Sequence, residues 1–277
     1  MMDIVLIEHP EKLAELESFL KTVPRRMIAC SGGIDSLLLA TVAHRQSPET
    51  TTIAHAVSPA VPAEATRRVH ERAKHEGWNL VIVESGEFDS EDYLSNPVNR
   101  CYYCKTNLYE ALTLLSLHNA DDDTLMSGAN TDDLGEYRPG LVAAEENAVR
   151  HPYVECGIDK QTIRTIARHL ELPFAELPAS PCLASRLYTG TRVTASRLSA
   201  VEKSEELIRH MTGIQVIRCR IQDASMLIEV GDNNRHRITT ELLSQVFTEA
   251  TAHEPGLENI VLDPKPYYPG RAFVSGA

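Results

Sequence analysis

The chain has 277 residues, enough for two domains, and its 43% hydrophobic and 24% charged content is that of an ordinary globular protein. With 27 Lys and Arg against 39 Asp and Glu, the net charge is −12, which argues against a surface that wraps nucleic acid. No uncharged apolar run reaches the ~18–20 residues of a membrane span. The first 22 residues are too acidic and interrupted for a signal or transit peptide. A cytoplasmic protein with reduced thiols is expected, and any cluster among its six cysteines is then read as metal or redox chemistry.

In chain order, Glu11 to Thr22 reads as an amphipathic helix with Leu13, Leu16 and Leu20 on one face. Arg26 to Cys30 is a short apolar strand, followed by the glycine turn Ser31-Gly32-Gly33 and a helix from Leu37 to His44. Further strands are expected at Thr51 to Ala56, Asn79 to Glu84 and Thr124 to Ser127, and helices at Ala63 to Glu76, Lys105 to Asn119 and Lys160 to Leu170. Asp159 caps the last of these and Pro173 follows its end. Strands alternating with helices imply βαβ units and a buried parallel sheet, an α/β fold. Beyond the Pro-, Ala- and Ser-rich loop Leu177 to Leu183, Thr194 caps a helix to about Met211. Strands at Gln215 to Ile221 and Ser225 to Val230, a helix at Thr240 to Ala252 and a strand at Asn259 to Asp263 complete the chain. The expected division is a first domain over 1–178 and a smaller α+β domain over 179–277.

Ser31-Gly32-Gly33-Ile34-Asp35-Ser36 joins a strand to a helix. Two glycines admit an anion close to the backbone, and the helix start offers N–H groups and the positive end of a dipole. The serines add hydroxyl donors, and Asp35 can hold Mg²⁺ on the phosphates. No Walker lysine is present, and the motif resembles the SGGxDS loop of the PP-loop ATP pyrophosphatases, which cleave ATP to AMP and pyrophosphate. Gly128, Asn130 and Asp133 follow the fourth strand, at the sheet edge where such folds bind ligands, and Ala56 and Ser58 end the second strand, where adenine would lie. A plain turn with Asx chemistry remains the alternative for the Asn130 segment.

Cys101-Tyr102-Tyr103-Cys104, followed by Lys105, fits a redox pair, half a zinc site or two cluster ligands. Its best third partner is Cys182, in the loop Ala179 to Arg186. Three thiolates would hold a [4Fe–4S] cluster and leave one iron open for sulfur. Cys30, Cys156 and Cys219 read as structural. Arg218 and Arg220 share one strand face and, with Arg186 and Lys105, could form a cationic pocket for a small anionic nucleotide; solvated surface charge is the bland alternative.

Together, Ser31 to Ser36, Arg100 to Lys105, Glu136 to Leu141, Ser180 to Arg186 and the Arg218/Arg220 strand resemble the LarE-type ATP-dependent sulfur transferases of nickel-pincer nucleotide cofactor biosynthesis. The resemblance implies a two-domain hydrolase-like fold and a homo-oligomer. It also implies activation by ATP of a carboxylate of a pyridinium dicarboxylate mononucleotide, then sulfur delivery to give a thiocarboxylate. Asp35, Lys105 and Cys182 are then the candidate catalytic residues. Ser185, Arg186, Arg218, Arg220 and Glu206, which matches an acidic position of the family pocket, are the candidate substrate contacts. In one branch of the family the cysteine at the position of Cys182 surrenders its sulfur; that branch lacks the CxxC, so Cys101, Cys104 and Cys182 here resemble the cluster-binding branch. Sacrificial use of Cys182, a tRNA thiolase, a zinc-binding nucleotide subunit and an ammonia-using ligase remain as rival readings, and the sulfur donor is left open.

Overall fold

The computed structural model describes residues 10–118, 122–135 and 138–272. Asn119 of an expected helix, Glu136 and Tyr137 of the expected Glu136 to Leu141 motif, and the first nine residues lie outside them. The elements run α1 (Pro10–Lys21), β1 (Arg26–Ala29), α2 (Ile34–Gln46), β2 (Thr51–Ala56), α3 (Ala63–Glu76), β3 (Asn79–Val83), α4 (Glu91–Leu94), α5 (Arg100–His118) and β4 (Thr124–Ser127). Then follow α6 (Pro139–Glu146), α7 (Pro152–Glu155), α8 (Lys160–His169), α9 (Ala195–Thr212), β5 (Ile217–Gln222), β6 (Ser225–Val230), α10 (Thr240–His253) and β7 (Asn259–Leu262). The chain forms two compact units. Of the described residues, one holds 10–58, 63–86 and those of 101–180; the other holds Pro59–Pro62, Glu87–Arg100 and 181–272.

In the first unit β3, β2, β1 and β4 lie in that order, all parallel, so the chain steps outward from β1 on one side and returns to its other side with β4. That reversal creates a crevice at the carboxyl ends of β1 and β4, the place where open α/β sheets bind ligands. Alternation along each strand sends neighbours to opposite faces. Ile28, Ile53 and Met126 pack with α1, α2 and α8, while Met27, Ala54 and Leu125 pack with Tyr109, Leu112, Ala143 and Ala144. Helix α2 is buried on nearly every side (Ile34 and Leu37 to Ala43 are all buried), so it forms the centre of this core. No described helix is long and apolar enough to cross a membrane.

The second unit contains a separate mixed sheet, β5-β6-β7, with β5 antiparallel and β7 parallel to β6. Its apolar side comprises Ile217, Cys219 and Ile221 of β5 and Met226, Ile228 and Val230 of β6, all fully buried. Two earlier stretches belong to this unit through backbone bonds: Leu183 N–H to Ala60 C=O, Gly190 N–H to Asn96 C=O and Val193 N–H to Leu94 C=O, at 2.8 to 2.9 Å. The caps at Asp159 and Thr194 form as expected, accepting from the Thr162 and Arg197 N–H groups.

Two helices start earlier than periodicity indicated. Helix α2 begins at Ile34, not Leu37, which puts Asp35 and Ser36 in its first turn. Helix α5 begins at Arg100, not Lys105, so both cysteines of the CxxC lie within its first five residues. Both first turns carry polar or small residues that break the apolar pattern, and helices propagate through such residues once tertiary packing supports them.

Candidate active site

The phosphate loop sits at the crevice between β1 and β4. Gly32 has φ +79° and a Cβ there would stand 2.7 Å from the Ala65 carbonyl oxygen, so only glycine permits the turn. The loop closes on itself through Ser36, whose hydroxyl accepts from the Ser31 N–H at 3.1 Å and donates to Gly33 C=O at 3.1 Å. No side chain caps α2 at Gly33. The first intrahelical bond is Leu37 N–H to Gly33 C=O, so the amides of Ile34, Asp35 and Ser36 head a helix start open to an anion. Arg68 donates to Gly32 C=O and brings a cation against the loop. On the β4 side, a Cβ on Gly128 would lie 2.9 Å from the Ser36 nitrogen, so the strand end abuts the start of α2.

Asp35 faces this crevice paired with Lys160, whose ammonium is 2.6 Å from both carboxylate oxygens. Burial pushes the Asp35 carboxyl above its ordinary range; Lys160 opposes that shift and the negative Asp133 nearby adds to it. The Tyr153 hydroxyl donates to the Asp35 carbonyl at 2.9 Å. Asn130 and Asp133 close an Asx-type turn, with Asn130 N–H on the Asp133 carboxylate at 3.0 Å and Asp132 N–H on the Asn130 side-chain Oδ1 at 3.1 Å. Asp133 also pairs with Arg138 at 3.1 Å. Ser127 bonds His151 Nδ1 at 2.9 Å, and burial holds that imidazole below its usual range. Ala56 ends β2, and Ser58 lies half-buried two residues beyond it. Sequence reasoning missed Lys160, Tyr153, His151 and Arg68; Lys160, directly after the Asp159 cap, was signalled only as a helix start.

Cys101 and Cys104 are half-buried and one helical turn apart, so they share one side of α5 at its N-terminus, where a thiolate is favoured. Lys105 runs past Gly140 and holds its ammonium 5.8 Å from the centre of the Tyr109 ring. Two thiols in this arrangement fit two corners of an iron–sulfur cluster or half a zinc site by donor softness. Among the described residues no group of three or more His, Cys, Asp or Glu side chains is gathered to hold a metal ion. Cys30 and Cys219 are buried; burial raises the Cys30 thiol to about 11 and pushes the Cys219 thiol well above its ordinary value. Both are core residues.

In the second unit Cys182 is exposed on a loop whose backbone is tightly fixed. The Ser185 hydroxyl donates to Cys182 C=O at 2.7 Å, and Arg186 Nη1 donates to Pro181 C=O at 2.7 Å and Cys182 C=O at 3.1 Å. Arg186 is itself clamped by Glu205, Nε and Nη2 donating at 3.0 and 3.1 Å. Burial works to depress the Arg186 pKa, and Glu205 outweighs it, so the guanidinium stays charged close to the Cys182 thiol. Arg220 donates to Glu229 at 2.7 Å and to Ser185 C=O at 3.1 Å, while Arg218 lies 5.3 Å from the Tyr267 ring centre. The arginines are buried, so the solvated-surface alternative fails.

The structure thus brings together Cys182, Ser185, Arg186 and Arg220, with Arg218 beside Arg186 and Arg220 on the same strand face. It does not bring Glu206 to them: Glu206 is half-exposed and pairs with Lys203. The carboxylates in the cluster are Glu205 and Glu229. Glu205 shares the spacing of Leu198, Val201 and Ile208, the buried stripe of α9, so its phase was readable in the sequence. Glu229 stands opposite Arg218 in the β5–β6 register, which the sequence does not print.

No family model matches the chain. It is 36% identical over 219 residues to an uncharacterised Synechocystis protein, covering 79% of this chain and 81% of that one. An uncharacterised protein of Methanocaldococcus jannaschii is 30% identical over 226 residues, covering 80% and 85%. The pyridinium-3,5-bisthiocarboxylic acid mononucleotide synthase of Lactiplantibacillus plantarum is 28% identical over 220 residues, covering 79% of each chain. At this identity over four-fifths of both partners, the chain belongs to one family with the Synechocystis and Methanocaldococcus proteins, and it is similar, more distantly, to the Lactiplantibacillus synthase.

Proposed function

We propose that this chain is an ATP-dependent sulfur transferase. It adenylates a carboxylate of a pyridinium-3,5-dicarboxylate mononucleotide, releases pyrophosphate, and exchanges the activated oxygen for sulfur to give a thiocarboxylate. One observation carries the reading: an uncapped phosphate loop at the carboxyl edge of a parallel sheet, in a chain matching a pyridinium-3,5-bisthiocarboxylic acid mononucleotide synthase over 79% of its length.

The residues divide the work. The α2 amides and the loop glycines, Ser31 and Ser36 bind the triphosphate of ATP, with Ala56 and Ser58 toward adenine and Gly128, Asn130 and Asp133 closing the opposite wall. The substrate carboxylate attacks the α-phosphorus, and the α–β bond breaks as pyrophosphate departs. Asp35 would hold the Mg²⁺, which would supply charge neutralisation on that leaving group. Arg218, Arg220, Arg186 and Ser185 form the cationic and hydroxyl wall that binds the phosphate and carboxylate of the substrate. Lys105 adds a cation near the reacting acyl group. Cys101, Cys104 and Cys182 are the ligands we assign to a [4Fe–4S] cluster, which when bound supplies an open iron able to take up sulfide. The buried ion pairs with Glu205 and Glu229 support the placing of the substrate anion here, because they hold the Arg186 and Arg220 charges beside Cys182 before substrate arrives, and a fixed charge loses less entropy on binding.

The test is product identity. Supplied with MgATP and the dicarboxylate mononucleotide, the protein should form AMP and pyrophosphate in step with substrate consumed. ADP and phosphate as the main products would remove adenylation from the reading.

A further inference from the structure

The Asp35–Lys160 pair has a consequence for how the phosphate loop takes a metal–nucleotide complex. A single ammonium lies 2.6 Å from both oxygens of the carboxylate, so it stands on the bisector of the group. A Mg²⁺ that takes the same side of the carboxylate needs an oxygen at ~2.0–2.1 Å and stands in the space of the ammonium. On that side the two cations repel, so the metal displaces the lysine. The lysine also has an anchor that survives the loss of this contact: its backbone N–H donates to the Asp132 carboxylate at 3.2 Å, and Asp159 caps the helix behind it. Only the four-carbon stem has to swing. Asp35 lies in the first turn of α2, so the stem that reaches its carboxylate also reaches an anion seated on that helix start. Fold stability does not require the pair, because both side chains are about a third exposed, 33% and 27%, and such pairs contribute little.

We propose that Lys160 and Mg²⁺ compete for the Asp35 carboxylate, and that the displaced Lys160 ammonium turns onto the triphosphate of the bound nucleotide. Lys160 is then a nucleotide-binding residue that also sets how much Mg²⁺ the site requires. This rests on the adenylating reading of the loop, which supplies the nucleotide.

The experiment measures binding of α,β-methylene ATP, which cannot be cleaved at the adenylating bond, across a MgCl₂ titration of the full chain. Lys160→Met removes both the competitor and the phosphate contact. At saturating Mg²⁺ it should bind the analogue about tenfold or more weakly, the effect of losing a charge-assisted contact. Its half-saturating Mg²⁺ concentration should fall about threefold or more. Lys160→Arg, whose fork holds a carboxylate bidentately, should keep most of the affinity at saturating Mg²⁺ and raise that midpoint about threefold or more. The arginine variant decides the matter by itself if the methionine variant does not fold. Unchanged Mg²⁺ midpoints in the variants overturn the proposal, as does a methionine variant that binds like wild type at saturating Mg²⁺. Wild-type protein that binds no analogue at any Mg²⁺ concentration would instead remove the nucleotide reading of the loop, and the proposal with it.

Discussion

Glu205→Leu should destabilise the second unit by about 3–5 kcal/mol, whereas Glu206→Ala, one residue on, should change stability by no more than ~0.5 kcal/mol. The difference follows from their surroundings. The Glu205 side chain is 1% exposed and accepts from Arg186 Nε and Nη2 at 3.0 and 3.1 Å, from Arg209 at 3.1 Å and from the Cys219 N–H at 3.2 Å. Leucine fills a similar volume but leaves a guanidinium 4% exposed without its carboxylate, and removing one partner of a buried pair is what carries the large cost. Glu206 is 44% exposed and meets only the exposed Lys203 among the contacts described. At roughly 4 °C per kcal/mol for a unit of about this size, Glu205→Leu should lower its melting temperature by about 12–20 °C. Differential scanning calorimetry at neutral pH would resolve this. The double variant Glu205→Leu, Arg186→Met should recover much of the loss, because an apolar pair can replace a buried ionic one. A Glu205→Leu protein melting within about 3 °C of wild type, or a larger loss from Glu206→Ala, would refute the reasoning.

Gly128→Ala should cost about 1–3 kcal/mol, since its Cβ would meet the Ser36 nitrogen at 2.9 Å, and should weaken nucleotide binding more than it lowers the denaturation midpoint, because the clash falls on the start of α2. The Asp35 carboxyl is raised from its ordinary 3.8 by burial, so the fold favours its protonated form and wild type loses stability as pH climbs from about that value through the raised pKa. Asp35→Asn should therefore gain stability relative to wild type between acid and neutral pH, measured by urea unfolding without nucleotide; a constant difference would contradict the shift. Alanine at Cys101, Cys104 or Cys182 should lower the iron and acid-labile sulfide of anaerobically purified protein, while alanine at Cys30, Cys156 or Cys219 should retain them. Zinc without iron in the wild type would refute the cluster assignment.

Local chemistry was legible in the sequence wherever it depends on neighbours. Helix α3 spans Ala63–Glu76 and β2, β4 and β6 fall where their patterns placed them, because alternation, periodicity and caps such as Asp159 and Thr194 act over a few residues. The phosphate loop was legible for the same reason: six consecutive residues contain its turn, its hydroxyls and its helix start. The side of a helix was legible in principle as well, since Glu205 shares the spacing of the buried α9 stripe, yet the nature of its partner was not. Tertiary structure alone decided the long-range charge pairings. Lys160 meets Asp35 across 125 positions only because the order β3-β2-β1-β4 brings the segment after β4 back beside β1. Arg220 and Glu229 meet because the β5–β6 register sets one near the other on a buried face. Sequence patterns read arginine and glutamate as surface residues, since an isolated buried charge is costly. Folding offsets that cost by pairing charges from distant segments, so the arginines next to Cys182 are fixed, buried groups rather than solvated ones.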